Sequence, residues 1–413
     1  MKFNKWTLGL AAVGAVSMAS AVRADEAKLS SVQTALSNTI ISGYVSASAN
    51  WQASPSSGTV SPASDIPLQS GKANGFNLDV VKLSISKAED ESPWASGYEA
   101  DLLFGPDAVG WNPSVASNGS SSYNSEVAIQ QAYVTLRTPV GNGIDWKFGV
   151  FNTVIGYESF DPASNPNYTR PWGWAVEPTE HTGILGTYAI NSSWSVSAGV
   201  ANTLTPGINT RNTYKTYTDD VNTGAWNKTF MGSVTYTAPS SWGWASGSAF
   251  YVGDVYGFAG GHQYDGGTQG GNQNNFYAGA TLNSPWKDIT FGASFDYVQN
   301  ILGTSIDGIH GDDYIFGLYN TIKVTDKLSF NSRAEYWEID GKISHEVGSD
   351  GGISLTETVE YDLWANVVSR LEFRYDKVVN SDYADYIGYV LPTGSTVYNA
   401  SSYGVYANVV YKF

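Results

Sequence analysis

The stretch SYGVYANVVYKF, residues 402–413, alternates apolar residues with small and polar ones. Counted back from Phe413, the apolar positions on one face are Tyr411, Val409, Ala407, Val405 and Tyr403. A period of two predicts a β-strand whose two faces have different surroundings. At the open edge of a soluble sheet such a strand would be an aggregation hazard, whereas a closed transmembrane barrel has no edge. We therefore expect residues 402–413 to close a barrel, with the terminal aromatic side chain at a membrane interface.

The same alternation recurs along the chain from residue 39 onward, in segments of about ten residues, the length that a tilted strand needs to cross a bilayer. The pattern predicts an all-β, antiparallel, up-and-down transmembrane barrel of about sixteen strands. The predicted strands are 39–52, 76–87, 96–104, 126–138, 144–151, 181–190, 194–203, 227–238, 244–256, 273–283, 288–298, 313–324, 328–340, 353–363, 368–378 and 402–413.

The connections between these strands fall into a short and a long class that alternate. The short class comprises 89–95, 140–143, 191–193, 239–243, 284–287, 325–327 and 364–367. The long class comprises 53–75, 105–125, 152–180, 204–226, 257–272, 299–312, 341–352 and 379–401. Short periplasmic turns and long extracellular loops are typical of outer-membrane barrels, and a soluble sandwich has no reason to sort its loops in this way.

The first 24 residues have the features of a signal peptide. Lys2 and Lys5 precede an uncharged run, and small residues flank Arg23 just before Asp25. An uncleaved membrane anchor is the alternative, but the run is short and contains Gly and Ser. We predict residues 1–24 as signal, 25–38 as a periplasmic lead-in with helix-like spacing, and 39–413 as one barrel.

The composition supports a membrane barrel and excludes several other classes. Aromatic residues reach 14%, charged residues only 15%, and there is no Cys. No later stretch is long and apolar enough for a membrane helix. The net charge is −16, or −19 without the three basic residues of the signal, which disfavours nucleic acid as a partner. The acidity favours cations in a pore or divalent cations on outer loops, and the sequence predicts no cofactor.

Charged residues alternate with apolar ones on the fifteenth strand, where Leu371, Phe373 and Tyr375 form the opposite face. A charge that faces lipid at mid-depth costs on the order of 2–4 kcal/mol, so the charged face is expected to line the lumen. The same argument applies to strand thirteen, and to strand five with Asp145 and Lys147. The predicted wall charges are Arg333, Glu335, Arg370, Glu372, Arg374 and Asp376.

The connection 152–180 is rich in Tyr, Trp, Gly and Pro, a composition suited to packing against other residues. We predict that it folds into the barrel and forms a constriction opposite the wall charges. Its charged residues are Glu158, Asp161, Arg170, Glu177 and Glu180. Two alternatives remain open: the loop caps the mouth or forms an adhesive surface, and the wall Arg/Glu pairs only stabilise the barrel.

Several sequence fragments resemble a known family. The end of the chain is similar to the C-terminal signal of bacterial outer-membrane proteins, with Phe413 and Tyr411 as its aromatic residues. The fragments IGYE (155–158), NPNYTR (165–170) and HTG (181–183) resemble the OmpL-like β-barrel porin family, as do ISGYV (41–45), QAYV (131–134) and RLEFRYD (370–376). The resemblance implies a channel in the Gram-negative outer membrane, with no reaction attached.

The leading hypothesis is a porin, a water-filled channel for passive diffusion of ions and small hydrophilic solutes that favours cations. The alternatives are a sugar-selective channel and a plugged structural or adhesive barrel. We expect no enzyme, because His181 is the only strand histidine and no serine is placed beside it. The expected partners are the lipid bilayer, lipopolysaccharide, the barrel assembly machinery and two further copies in a homotrimer.

Overall fold

A computed structural model describes residues 32–33, 38–53, 66–69, 72, 74–111, 126–204, 208, 228–259, 263–264, 267–268, 271–299, 310–343, 346–381 and 401–413. Within these ranges sixteen long strands form one antiparallel sheet. They are Ile40–Ala53 (β1), Gly75–Lys87 (β2), Ser96–Phe104 (β3), Val127–Thr138 (β4), Ile144–Asn152 (β5), Glu180–Ala189 (β6), Trp194–Ala201 (β7), Thr229–Thr237 (β8), Ala249–Ala259 (β9), Gly271–Asn283 (β10), Ile289–Gln299 (β11), His310–Lys323 (β12), Leu328–Ile343 (β13), Glu346–Tyr361 (β14), Val367–Ser381 (β15) and Ser401–Lys412 (β16).

The sheet is closed. Each strand pairs with the next one in sequence, and β16 pairs with β1 from Tyr403 opposite Ala53 to Lys412 opposite Tyr44. Backbone hydrogen bonds of 3.0 Å in both directions between Phe413 and Gly43 complete the seam. The predicted sixteen-stranded antiparallel barrel is confirmed.

Two predicted details are wrong. The connection 341–352 is not a loop of a dozen residues: β13 and β14 extend through it, with Gly341 opposite Gly348, and only residues 344–345 join them. Asp350 consequently lies on β14, and Asp312 lies on β12 because that strand begins at His310. Strand ends outside the membrane are in water on both faces, so they need no apolar alternation and the sequence pattern misses them. The lead-in also differs, because Val32 and Gln33 form a short strand beside β1.

The outer wall is apolar and carries aromatic residues near the strand ends. Trp94 in a periplasmic turn is 73% exposed. Trp194 of β7 and Tyr236 of β8 pack together with Trp242, which lies in the turn after β8. This is the placement expected for an interfacial aromatic girdle. No helix in the described ranges has the length and hydropathy to cross a membrane.

Two long connections contribute short helices. Helix α1 (Pro106–Trp111) packs against β2, β3 and β4. Residues 153–179, here called loop 3, contain a 3-10 turn (Pro162–Ser164) and helix α2 (Gly173–Val176), which contacts β11 and β12. Because α2 belongs to a connection and yet contacts strands remote from β5 and β6, loop 3 lies against the inner wall.

Candidate channel constriction

The first part of loop 3 is held by apolar contacts. Ile155 is buried in a cluster with Phe151, Leu185 and Met231, which point inward from β5, β6 and β8. Tyr157 stacks on Tyr319 of β12 with a centroid distance of 4.0 Å. An apolar cluster inside a barrel excludes water at that place, so the start of loop 3 is packed as firmly as a protein core.

Arg333 of β13 lies at the centre of a buried charged group. Its Nη1 donates to Glu158 Oε1 of loop 3 at 2.8 Å and to the carbonyl oxygen of Thr169 at 2.7 Å. Its Nε is 2.9 Å from Glu335 Oε2, and the other Glu335 oxygen accepts the backbone N–H of Trp172. Arg333 therefore connects two carboxylates and two separate parts of loop 3.

Charged side chains of β15 form hydrogen bonds with backbone groups of loop 3. Glu372 accepts the backbone N–H groups of Tyr168 and Thr169. Arg374 donates to the carbonyl oxygen of Arg170 at 2.6 Å and forms an ion pair of 2.9 Å with Asp376. These are hydrogen bonds between ionised side chains and peptide groups, which are stronger than neutral ones.

Arg370 binds the tip of loop 3. Its two terminal nitrogens donate to the carbonyl oxygens of Pro162 and Asn165, each at 2.7 Å, while its Nε donates to Glu360 Oε2 at 3.0 Å. All three nitrogens of the guanidinium thus donate, two of them to carbonyl oxygens of loop 3 and one to a carboxylate. The 3-10 turn that follows Asp161 is held by this side chain.

The opposite side of the loop contacts β1 and β2. Asp161 accepts the Tyr44 hydroxyl at 3.0 Å and pairs with Lys82 Nζ at 3.0 Å, and Lys82 also pairs with Asp101 at 2.9 Å. A second group joins loop 3 to β2 and to the connection before it: Tyr168 donates to Asp79 of β2, which pairs with Lys72 at 3.1 Å. Loop 3 is therefore held along one continuous arc of the wall, from β13 through β15 to β1 and β2.

Two acids of loop 3 have raised pKa values. Burial raises the pKa of Glu158, although Arg333 opposes this shift. Burial and the neighbouring Asp296 carboxyl of β11 raise the pKa of Glu177 well above its ordinary value. Two adjacent carboxyl groups in a poorly solvated place cannot both ionise cheaply, which favours the protonated form of Glu177 beside Asp296.

The structure brings most of the predicted site residues together, but not as an open ring. The side chains of Arg333, Glu158 and Glu335 are at most 1% exposed, whereas the Asp161 side chain is 32% exposed. Solvent therefore has access to Asp161 and not to Arg333. Arg170 donates to the carbonyl oxygens of Tyr168 and Phe160, and it is buried like the wall charges.

The remaining predicted residues lie away from the contacts between loop 3 and the wall charges. Glu180, the first residue of β6, accepts the indole N–H of Trp111 in α1 at 3.1 Å. His181 is fully buried, with its ring nitrogens 3.2 Å from Thr153 Oγ1 and 3.5 Å from Thr203 O. Tyr411 points outward near the seam that Phe413 completes. Across the described ranges, no group of three or more acids or histidines is arranged to hold a metal ion.

The sequence did not lead us to expect the residues of β2 and β3 that pair near Asp161 of loop 3. Lys82 and Asp101 follow the same two-residue alternation that identified the β15 face, so the signal was present in the sequence. It was weaker because each strand carries fewer charges and a β-bulge at Asp79 interrupts the register of β2 against Ser46 and Ala47 of β1.

A closed sixteen-stranded barrel with a long loop folded into its lumen is the architecture of an outer-membrane porin. The family described as "Putative beta-barrel porin-2, OmpL-like" matches residues 38–413, nearly the whole chain, and the chain belongs to this family. A comparison with curated proteins gave no match.

Solved structures with the same fold are remote in sequence. The outer-membrane channel DcaP of Acinetobacter baumannii is 12% identical, with a TM-score of 0.56 over 93% of this chain and 100% of that chain. An anion-selective porin from Comamonas acidovorans is 12% identical, with a TM-score of 0.56 over 91% and 99%. OmpT of Vibrio cholerae in a trimer form is 13% identical, with a TM-score of 0.54 over 91% and 99%.

Family and fold together identify an outer-membrane porin channel rather than an enzyme. The outer-membrane localisation follows from the family and from the neighbours, which are outer-membrane barrels. At these identities the neighbours establish the fold, and their selectivities belong to them.

Proposed function

We propose that the protein is a passive channel for ions and small hydrophilic solutes, with a passage narrowed by loop 3 and a preference for cations. The observation that carries this proposal is the attachment of loop 3 to opposite sides of the closed sheet. Ile155 packs against β5 and β6, while Arg333, Arg370 and Arg374 hold later residues of the loop on β13 and β15. A sixteen-stranded barrel is too wide to be filled by wall side chains alone, so an internal loop sets the width of the passage.

The cation preference is supported by which charges remain accessible. Loop 3 covers the arginines of β13 and β15, so they attract few mobile anions. The carboxylates of Asp161, Glu99 and Glu89 are only partly buried on the lumen side. Accessible carboxylates along a narrow passage raise the local concentration of cations.

A plugged barrel with a structural or adhesive role is the second candidate. It is favoured by the same burial of Arg333 and Arg374, because a loop held by so many groups could close the lumen. A homotrimer embedded among lipopolysaccharide and inserted by the barrel assembly machinery is also proposed, since one neighbour of the same fold has a trimer form.

The proposal is tested by the reversal potential of single channels in a planar bilayer under a KCl gradient. Stepwise currents with a reversal potential toward the potassium equilibrium value are expected. Replacing Asp161 with Asn should shift that potential toward zero, while replacing the exposed turn residue Asp326 with Asn should not. A reversal potential on the chloride side would contradict the cation preference, and a folded protein without currents would favour the plugged barrel.

A further inference from the structure

Three polar side chains on adjacent strands interrupt the apolar outer wall. Asn320 of β12 lies opposite Ser332 of β13, and Ser332 lies opposite Glu357 of β14. The Ser332 hydroxyl donates a hydrogen bond to Glu357 Oε2 at 2.7 Å. Because residues directly opposite each other in a sheet point to the same face, these three side chains form one row, here called the polar row.

The polar row faces away from the lumen. On β14 the exposed Glu357 alternates with Thr356 and Thr358, which are each 1% exposed inside the barrel. Its neighbours on its own face are Leu355 and Val359, which are 49% and 37% exposed. Since successive residues of a strand point to opposite faces, Glu357 lies on the surface that meets the membrane.

Glu357 also lies near mid-depth in the membrane. It is four residues from Tyr361, the periplasmic end of β14, and four from Ile353, which lies opposite Tyr336. Tyr336 donates to the outward Glu338 at 2.7 Å, a pairing expected where the apolar band meets water. A charge at mid-depth destabilises a barrel in lipid more than one at an interface, and lipid offers it no hydrogen bond. The polar row is therefore expected to contact protein rather than lipid.

The outer surface next to the polar row permits close contact. On this surface β13 carries Ser332 and Ala334, which are both small. Leu318 of β12 and Leu355 of β14 lie opposite Ala334 on its two sides, and they are 65% and 49% exposed. β13 thus forms a shallow groove between two leucine ridges. Small residues let two backbones approach closely within a membrane, so the groove and ridges can interlock with those of a neighbouring barrel.

We propose that the polar row and the groove along β13 form the face through which copies of this chain meet in the membrane. Copies inserted in the same direction are related by an axis parallel to the membrane normal, which leaves the depth of every residue unchanged. A second copy therefore brings the same hydroxyl and amide donors into the apolar band, where the Glu357 carboxylate of its neighbour accepts them. This inference rests on the proposed homotrimer and assigns its contact face.

Cross-linking of single-cysteine variants tests the position of this face, because the chain itself contains no Cys. Each variant is folded into lipid vesicles and treated with a short bifunctional thiol reagent. Ala334→Cys, which leaves the polar row intact, is expected to give covalent oligomers. Val134→Cys is the control, at a 46% exposed position of β4 on the far side of the barrel, and it should stay monomeric on denaturing gels.

Glu357→Leu tests the polar row itself. It removes the carboxylate that the neighbouring copy is proposed to bind, so light scattering in mild detergent should show a shift from oligomer to monomer mass. Asp254→Leu is the control, because it removes another acid that shares the outer face of β9 with the 44% exposed Tyr256. If Glu357 faces lipid instead, the leucine leaves the mass unchanged and makes the barrel more resistant to urea, which overturns the proposal.

The outcomes separate this face from the proposed homotrimer. A wild-type protein that is monomeric in vesicles and detergent overturns both. An oligomeric protein in which Ala334→Cys gives no cross-links, or no more than Val134→Cys, overturns the face alone. The shift of the folded barrel on unheated gels confirms that each variant is folded.

Discussion

Arginine side chains on the inner wall act here through peptide groups as much as through carboxylates. Arg333, Arg370 and Arg374 each donate to carbonyl oxygens of loop 3 while they pair with an acid. Five donors in a planar fork allow one guanidinium to do both, which a lysine ammonium cannot do with the same geometry. The burial of these residues follows from that bonding.

Removal of the Arg333 charge is expected to destabilise the barrel strongly. Arg333→Met leaves Glu158 and Glu335 buried without their ion-pair partner, which costs about 3–5 kcal/mol of unfolding free energy. Urea unfolding in lipid vesicles measures this change. Lys323→Met removes one partner of an exposed 4.0 Å pair and should change the unfolding free energy by less than about 1 kcal/mol. Equal effects of the two substitutions would contradict the structural role of Arg333.

The cation preference is expected to increase between pH 6 and pH 8. Burial and the Asp145 carboxyl raise the pKa of Glu89, in the periplasmic turn before β3, to about 7. Glu89 is neutral below this pH and anionic above it, so potassium permeability relative to chloride should rise as the pH passes through 7. Reversal potentials at the two pH values test this, and Glu89→Gln should reduce the difference. A preference that falls with rising pH would contradict the assignment.

The sequence predicted which face of its strand each charged wall residue occupies. It did not predict the residue with which the charge pairs. A period of two places Arg333 and Arg374 on the lumen face because the other face must be apolar. Glu158, the partner of Arg333, is 175 residues away, and its position depends on how loop 3 folds. No local pattern contains that information.

Loop 3 is fixed by two kinds of contact in succession. Its first residues pack in an apolar cluster around Ile155, and its later residues bind charged groups of β13 and β15. Apolar contacts resist changes of pH and salt, whereas the charged contacts are protected from salt only by their burial. Loop 3 should therefore stay in place over the range of pH and salt concentration in which the buried ion pairs persist.

A side chain at Gly173 is expected to release the second half of loop 3. A Cβ atom there would be 2.6 Å from Asp296 Oδ2, so Gly173→Leu prevents α2 from packing against β11. We expect rapid cleavage by chymotrypsin after Tyr168 and Trp172, which are both 4% exposed in the folded protein. Ala175→Leu on the exposed side of the same helix is the control. Resistance of Gly173→Leu to the protease would show that the helix is not held in this way.

The strands were more predictable than the connections. All sixteen predicted segments overlap the observed strands, because lipid on one side and polar groups on the other impose alternation for the whole membrane thickness. The β13–β14 hairpin extends beyond the prediction because alternation is not required outside the membrane. Helices α1 and α2 are too short for a helical period to be visible in the sequence.

The whole molecule is a closed barrel whose polar side chains point inward. Both features were predictable from the sequence. Closure follows from an even number of strands with β16 beside β1, which leaves no edge in the lipid. The width of the passage depends on loop 3, whose contacts involve residues from β1, β2, β11, β13 and β15. That property belongs to the assembled barrel and could not be read from any single segment.

The most direct test is the single-channel conductance of the refolded protein compared with a variant that lacks residues 160–176. The account predicts discrete conductance steps for the full-length protein and larger steps for the variant, because the deletion removes the part of loop 3 that is held on β13, β15, β1 and β2. Heat-modifiable mobility on gels shows that both proteins are folded. A full-length barrel that inserts but never conducts, while the variant conducts, would contradict the account and identify loop 3 as a plug.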